Sequence, residues 1–434
     1  MPILAINGGQ PIRSVDFPAH NFIGEEEKRA VSEVLDSGNL SGFLGAWNKD
    51  YFYGGPAVRR FEDAWSTFIG CRFVVSMNSA TSGLVAAMSA AGVGPGDEVI
   101  VPPLTMSASV TSVIACNAVP VFADVEPGTF CLNPLAVEKK ITARTKAILT
   151  VDLCGQPSDL RSLRDIADRD KLVLIEDAAQ APGAKFGDQF VGSIADMTVF
   201  SLNIHKHIHA GEGGMVTTNL SSYAEKLQLI RNHGEAVVAN KHTTDISNSF
   251  GFNWRLTELS AAIASTQLIK LPKLLEWRIA NANYLANELS KIPGIISPLV
   301  RTNCRHTYYI QPFLYNEDIL KTPRNHFIAA VSAELPSAPD RRGIPMLWTG
   351  LGRPLYELPI YQQQIAYGRS GCPFKCPLYN GAVNYHKGLC PIAEQLTDNK
   401  VFVTDYIRPP ATISDLDDVV KAFWKVYEHR NELS

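Results

Sequence analysis

The chain has 434 residues, 46% of them hydrophobic, and a formal net charge of −3. That length suits a large domain with a smaller one, and the near-balanced charge gives no electrostatic reason to expect a nucleic acid or an anionic membrane surface as partner. No apolar run reaches the ~18 residues that a membrane span needs, and Met1-Pro2-Ile3-Leu4-Ala5 lacks the basic region and long apolar core of a signal peptide.

Residues 1–70 open with a polar stretch, a helix over Glu25–Ser37 and a glycine-rich loop, 41–56, carrying Phe43, Trp47, Tyr51, Phe52 and Tyr53. Aromatics in such a loop form a binding wall or subunit contact, or pack on their own protein. From Phe73 the pattern alternates. Strands are expected at 73–76, Glu98–Val101, 119–123, 147–152 and 172–176, with helices at 81–91, 107–116 and 160–167. Apolar strands joined by helices indicate a mostly parallel sheet covered on both faces, with ligands gathering at the carboxyl ends of the strands. The turns after Ser76, Val101, Asp152 and Glu176 are therefore expected to open into one crevice.

Further along, the spacing predicts a helix at 222–232, a polar loop at 234–248, the turn Gly251-Phe252-Asn253-Trp254-Arg255, and two helices at 257–268 and 271–290. Beyond Pro293 come strands around 308–314, a helix at 326–335, proline- and cysteine-rich loops through Pro391, and a last helix at 414–429. We expect a large domain with an N-terminal arm over 1–275 and a small C-terminal domain over 276–434. Neither an internal repeat nor a low-complexity tract is visible. The eight cysteines (Cys71, Cys116, Cys131, Cys154, Cys304, Cys372, Cys376 and Cys390) sit mostly in apolar context. They read as reduced core thiols of a cytoplasmic protein, and the spacing of the last three matches no common zinc or iron–sulfur pattern.

The chemistry concentrates at Ser201-Leu202-Asn203-Ile204-His205-Lys206-His207-Ile208-His209-Ala210-Gly211-Glu212-Gly213-Gly214. A buried lysine with a lowered pKa can attack an aldehyde, because only the neutral amine is nucleophilic. Alone, a lysine beside a loop reads as a solvated charge. Its company changes the reading. Asn78-Ser79-Ala80-Thr81-Ser82 lies between a strand and a helix start, where amides and hydroxyls bind phosphate, although the same pattern is a common N-cap. Ile175-Glu176-Asp177-Ala178-Ala179-Gln180 ends a buried strand with a carboxylate, placed either to pair with a pyridinium nitrogen or to cap a helix. Lys206 is thus expected to hold pyridoxal 5'-phosphate (PLP).

These motifs, with Gly-Asp-Glu-Val-Ile-Val-Pro-Pro from 96 and Gly-Phe-Asn-Trp-Arg-Leu-Thr-Glu from 251, resemble the DegT/DnrJ/EryC1/StrS family of PLP-dependent sugar aminotransferases over residues 15–430. The resemblance implies the three-layer α-β-α architecture of PLP fold type I, with a mostly parallel large-domain sheet and a smaller α+β C-terminal domain. It implies Lys206 as the Schiff-base lysine and Asp177 as the pyridinium partner. Gln180 is implied beside the ring hydroxyl, and Ala80, Thr81 and Ser201, with Ser82 in the same turn, at the phosphate. Asn253 is implied to reach the cofactor of a neighbouring subunit, so that the active sites belong to a homodimer. Three departures stand out. Met106 occupies the position where relatives stack an aromatic on the cofactor, Asp152 stands where many place a histidine, and His205, His207 and His209 surround the lysine. The histidines either tune or contact substrate or merely pack.

The expected activity moves an amino group from L-glutamate or L-glutamine to a keto-sugar, nucleotide-linked, or to a keto-cyclitol, with Lys206 as the proton-transfer base. Two rivals share the cofactor: a sugar dehydratase of the same family, which Lys206 and the cysteine spacing disfavour, and a non-catalytic PLP-binding regulator. A metal site built on the three histidines lacks a completing carboxylate or thiol motif. No motif identifies the acceptor.

Overall fold

A computed structural model describes residues 3–341, 343–369 and 371–433; Met1, Pro2, Arg342, Ser370 and Ser434 lie outside that description. Seven strands build the large sheet: β1 (Phe73–Met77), β2 (Glu98–Val101), β3 (Val119–Phe122), β4 (Thr145–Val151), β5 (Val173–Asp177), β6 (Met197–Ser201) and β7 (Gly214–Thr218). Their order is β1-β7-β6-β5-β4-β2-β3. Only β7 runs antiparallel to its neighbours. The connection from Ser201 to Gly214 holds no helix to carry a crossover, and β7 returns antiparallel.

Alternate residues of each strand face opposite layers, as the two-residue repeat dictates. Val75, Val101, Leu149 and Ile175 pack with α3 (Ala80–Ala90) and α4 (Ser107–Ala115). On the opposite face, Ile100, Ile148 and Leu174 meet α5 (Leu160–Asp170), while Val74 and Phe200 meet α2 (Pro56–Ile69) and α7 (Glu258–Leu289). Two further large-unit helices, α1 (Glu25–Ser37) and α6 (Ser221–Arg231), fall where the sequence pattern puts them.

A four-stranded antiparallel sheet forms the second unit: β8 (Ile295–Ile296), β9 (Gln311–Tyr315), β10 (Leu347–Thr349) and β11 (Val401–Thr404), in the order β8-β9-β11-β10. Its core also takes side chains from α8 (Arg324–Ala333) and α9 (Ile413–Glu428). Leu4 and Phe17 of the N-terminal arm are buried in that same core. In the reverse direction, Tyr356, Tyr361, Phe374, Tyr379 and Tyr385 pack into the core of the large sheet.

Two helical expectations need correction. Helix α2 is absent from the sequence reading, although Pro56 at its first turn and the buried stripe Ala57, Val58, Phe61, Trp65 and Ile69 favour it. The expected pair 257–268 and 271–290 is one 32-residue helix, α7, with Pro272 inside it. Proline removes one backbone hydrogen bond and crowds the turn before it. Burial of Leu268, Leu271, Leu274 and Leu275 before and just after that point, and of Ala282, Leu285 and Leu289 further on, outweighs the loss. The aromatic loop packs on its own protein: Phe43 and Phe52 are buried, and the Lys241 ammonium lies 4.6, 5.5 and 5.3 Å from the ring centroids of Trp47, Phe52 and Tyr53.

Candidate active site

The turns after β1, β2, β4, β5 and β6 converge on one cavity of about 660 Å³ at the carboxyl ends of the parallel strands. After β1, the Ser79 hydroxyl accepts from the Ser82 amide (3.1 Å) and caps α3. The first amides of a helix have no acceptor within it, so those of Ala80 and Thr81, both lining the cavity, stay available. Ser201, at the end of β6, lines the same corner. Gly214 follows closely: a Cβ there would stand 2.5 Å from the Ala80 amide nitrogen. Only glycine lets β7 begin this near the helix terminus. The result is a cradle of amides and hydroxyls suited to a phosphate.

Asp177 is the last residue of β5 and 5% exposed. The Ser109 hydroxyl donates to its Oδ2 (2.7 Å) and the Ala179 amide to its Oδ1 (3.1 Å). Burial raises the Asp177 pKa, while these two bonds and the charge of Lys206 pull it back. Lys206 rides on the loop between β6 and β7, which is closed by Leu202 N–H to Gly213 O (2.9 Å) and Ala210 N–H to Leu202 O (3.0 Å). Its Nζ stands 4.4 Å from the centroid of the Tyr309 ring, and among the described residues it forms no ion pair. Burial lowers its pKa to about 8, with Asp177 opposing. One cavity therefore presents an amine whose neutral form is brought within reach of ordinary pH, a buried acid and a phosphate cradle. The site fits PLP, whose aldehyde, ring nitrogen and phosphate need those three groups.

Most of the expected site residues line this cavity: Ala80, Thr81, Met106, Asp177, Gln180, Ser201 and Lys206. Met106 is 68% exposed. Gln180 receives the Cys154 amide on its Oε1 (2.7 Å). Two do not line it. Ser82 bonds instead to the Ser79 hydroxyl (3.0 Å), and exposed Asn253 accepts from Arg255 Nε (2.7 Å). The three histidines separate. His205 lines the cavity; buried His207 pairs its Nε2 with Thr307 O (2.9 Å), its pKa depressed by burial; His209 stands outside the lining. Ser109, Tyr309 and Trp348 escaped the sequence reading. Ser109 follows Thr105 at helical spacing, and their hydroxyls meet at 3.0 Å, a local signal that was there to find. Tyr309 and Trp348 come from the second unit, with no local signal.

Comparison with known proteins agrees with this geometry. The family described as DegT/DnrJ/EryC1/StrS aminotransferase matches residues 22–401. The L-glutamine:2-deoxy-scyllo-inosose aminotransferase of Micromonospora echinospora is 34% identical over 445 aligned residues, covering 100% of both chains. The crystal structure of DesI in the presence of its TDP-sugar product superposes with a TM-score of 0.78 at 26% identity, covering 99% of this chain and 97% of that one. NtdA from Bacillus subtilis, solved with bound cofactor PMP, gives a TM-score of 0.76 at 25% identity, covering 96% and 87%. The chain belongs to the DegT/DnrJ/EryC1/StrS aminotransferase family and is a PLP-dependent sugar aminotransferase of fold type I.

Proposed function

We propose that Lys206 carries the cofactor, that Asp177 faces its ring nitrogen, and that Ala80, Thr81 and Ser201 hold its phosphate. The observation that carries this assignment is the Lys206 amine, free of any ion pair among the described residues, in the same cavity as the buried carboxylate of Asp177. When bound, PLP supplies an electron sink that stores the amino group between donor and acceptor. Lys206 then carries the proton to and from the substrate carbon as a general base and acid. Asp177, whose ionised form is favoured by the bonds from Ser109 Oγ and the Ala179 amide against the cost of burial, would hold the proton of the ring nitrogen in place. Met106 and Tyr309 line the cavity, with Tyr309 beside the amine.

The amino donor in this proposal is L-glutamine or L-glutamate, and the acceptor a keto-cyclitol or a nucleotide-linked keto-sugar. Relatives named for an inosose and for a TDP-sugar product support both acceptor classes. We further propose a homodimer in which Asn253, outside its own cavity, serves the second copy's cofactor. The chain divides near residue 275, inside α7, and its eight free cysteines suit the cytoplasm. Borohydride treatment of the yellow holoenzyme followed by peptide mapping tests the assignment: the label is expected on Lys206, and in a separate sample L-glutamine or L-glutamate is expected to bleach the visible band and prevent the labelling. A label on another lysine refutes it.

A further inference from the structure

Immediately behind the cavity lie two carboxyls that the reaction does not touch. Asp152 follows β4, Glu176 precedes Asp177 on β5, and neither exposes any surface. The sheet register sets Thr150 beside Glu176 and Val151 beside Asp177, and the Asp152 amide donates to Asp177 O (3.1 Å). Asp152 Oδ1 accepts from the Ser158 amide (2.9 Å). Glu176 Oε2 accepts from Thr198 Oγ1 (2.7 Å) and the Gly192 amide (3.2 Å). The remaining oxygens, Asp152 Oδ2 and Glu176 Oε1, are both buried without a hydrogen-bond partner among the described residues, and each carboxyl bears on the ionisation of the other. Ionised carboxyls only accept hydrogen bonds, so these two oxygens can satisfy one another only when one carboxyl carries a proton. Glu176 accepts from two donors and Asp152 from one, so the charge sits better on Glu176 and Asp152 is the acid of the pair; burial raises both carboxyls, with Glu176 adding to the rise at Asp152.

Asp152 also begins a strained turn. Cys154 has φ 61° and Gly155 φ 95°. This turn holds two cavity walls at once: the Cys154 amide donates to Gln180 Oε1 (2.7 Å), and Cys154 O accepts from the Tyr309 amide (2.7 Å). Thr307 N–H to Gly155 O (2.9 Å) fastens the same segment of the second unit. The other titratable groups near the pair are Asp177, the thiols Cys131 and Cys304, and Arg301, which is engaged by Glu126 and Asp159.

We propose that Asp152 is a positioning residue for amino transfer: as a carboxylic acid it donates to Glu176, and this bond clamps the turn that sets Asp177, Gln180 and Tyr309 around the cavity. The inference rests on the proposed roles of Lys206 and Asp177. Asp152→Asn and Asp152→Ala test it, through the cofactor dissociation constant, the melting temperature of the apoprotein, and the pH profile of the L-glutamine half-reaction. An asparagine N–H donates without an ionisable proton. Asp152→Asn should stay within about threefold of wild type in affinity and half-reaction rate, and should lose any alkaline decline due to Asp152 ionisation. Asp152→Ala leaves the buried Oε1 of Glu176 without any donor and should weaken cofactor binding by roughly tenfold or more. An asparagine variant as impaired as the alanine variant overturns the proposal, as does an alanine variant with wild-type behaviour. Should Asp152→Ala fail to fold, Asp152→Asn alone decides. A wild-type protein whose band no amino donor bleaches refutes the functional reading instead, while affinity and melting temperature still judge the clamp.

Discussion

Replacing Ser109 by alanine isolates the hold on Asp177. It deletes a hydroxyl 2.7 Å from Oδ2 in a site closed to water and leaves the helix α4 backbone unchanged. A hydrogen bond to a charged group contributes about 1.5–3 kcal/mol, so its loss should raise the Asp177 pKa by roughly one to two units. Because the ionised acid is the form that holds a ring N–H, cofactor affinity should begin to fall at a correspondingly higher pH. The assay is the cofactor dissociation constant measured spectroscopically across pH, with Ser112→Ala as the control. Ser112 is buried on the same helix, but its hydroxyl donates to Ser109 O (2.7 Å) rather than to the acid. An acid limb unmoved in Ser109→Ala, or moved equally by Ser112→Ala, refutes the reasoning. The apoprotein adds a second readout. An acid whose folded pKa is raised above its unfolded value destabilises the fold as pH rises through that folded pKa. The variant's melting temperature should therefore fall further below wild type at alkaline than at acidic pH.

Three other outcomes follow from the geometry. Gly214→Ala forces a Cβ against backbone 2.5 Å away at Ala80 and Ser79; it should cost at least about 1–3 kcal/mol in denaturant melts and weaken cofactor binding through the displaced α3 terminus. With its pKa near 8, Lys206 is about 24% neutral at roughly pH 7.5, against ~0.1% for an unperturbed lysine. Stopped-flow cofactor capture should accelerate with pH and level off above about 8, and a rate still climbing as for an ordinary lysine speaks against the burial argument. Mixing Lys206→Ala with Asn253→Ala protomers should recover about a quarter of wild-type activity, since random pairing makes half the dimers mixed, each with one intact site. No recovery above the two parents would rule out the shared site.

The cofactor's anchor points were legible because each sits where a local pattern meets a strand end. Ser79–Ser82 starts a helix, Asp177 closes an apolar strand, and the Ser201–Gly214 stretch combines a lone lysine with a glycine turn. The alternation of strand and helix likewise set five of the seven strands of the main sheet; β6 and β7, which flank the lysine loop, were not read as strands. What stayed hidden depends on contacts remote in sequence. Tyr309 reaches Lys206 only because the 307–309 segment bonds to the turn after β4. Helix α2 was masked by the aromatic loop before it, and α7 by Pro272, whose penalty burial on both sides overcomes. His207 could not be told from His205 by type. Their separation into core and cavity follows from which side of a tight loop each occupies.

The exchange of side chains between the two units constrains how the polypeptide matures. Tyr356, Tyr379 and Tyr385 fill the interior of the main sheet, yet they are synthesised long after Thr218 completes its last strand. Leu4 and Phe17, which precede both sheets in the chain, settle against partners from β11 and α9. Neither lobe can finish its interior before β11 has emerged from the ribosome, and the second waits for α9 as well, so the nascent protein carries exposed apolar surface until then. Severing the chain between the lobes would therefore yield two incomplete and sticky fragments, which regain solubility only when expressed together.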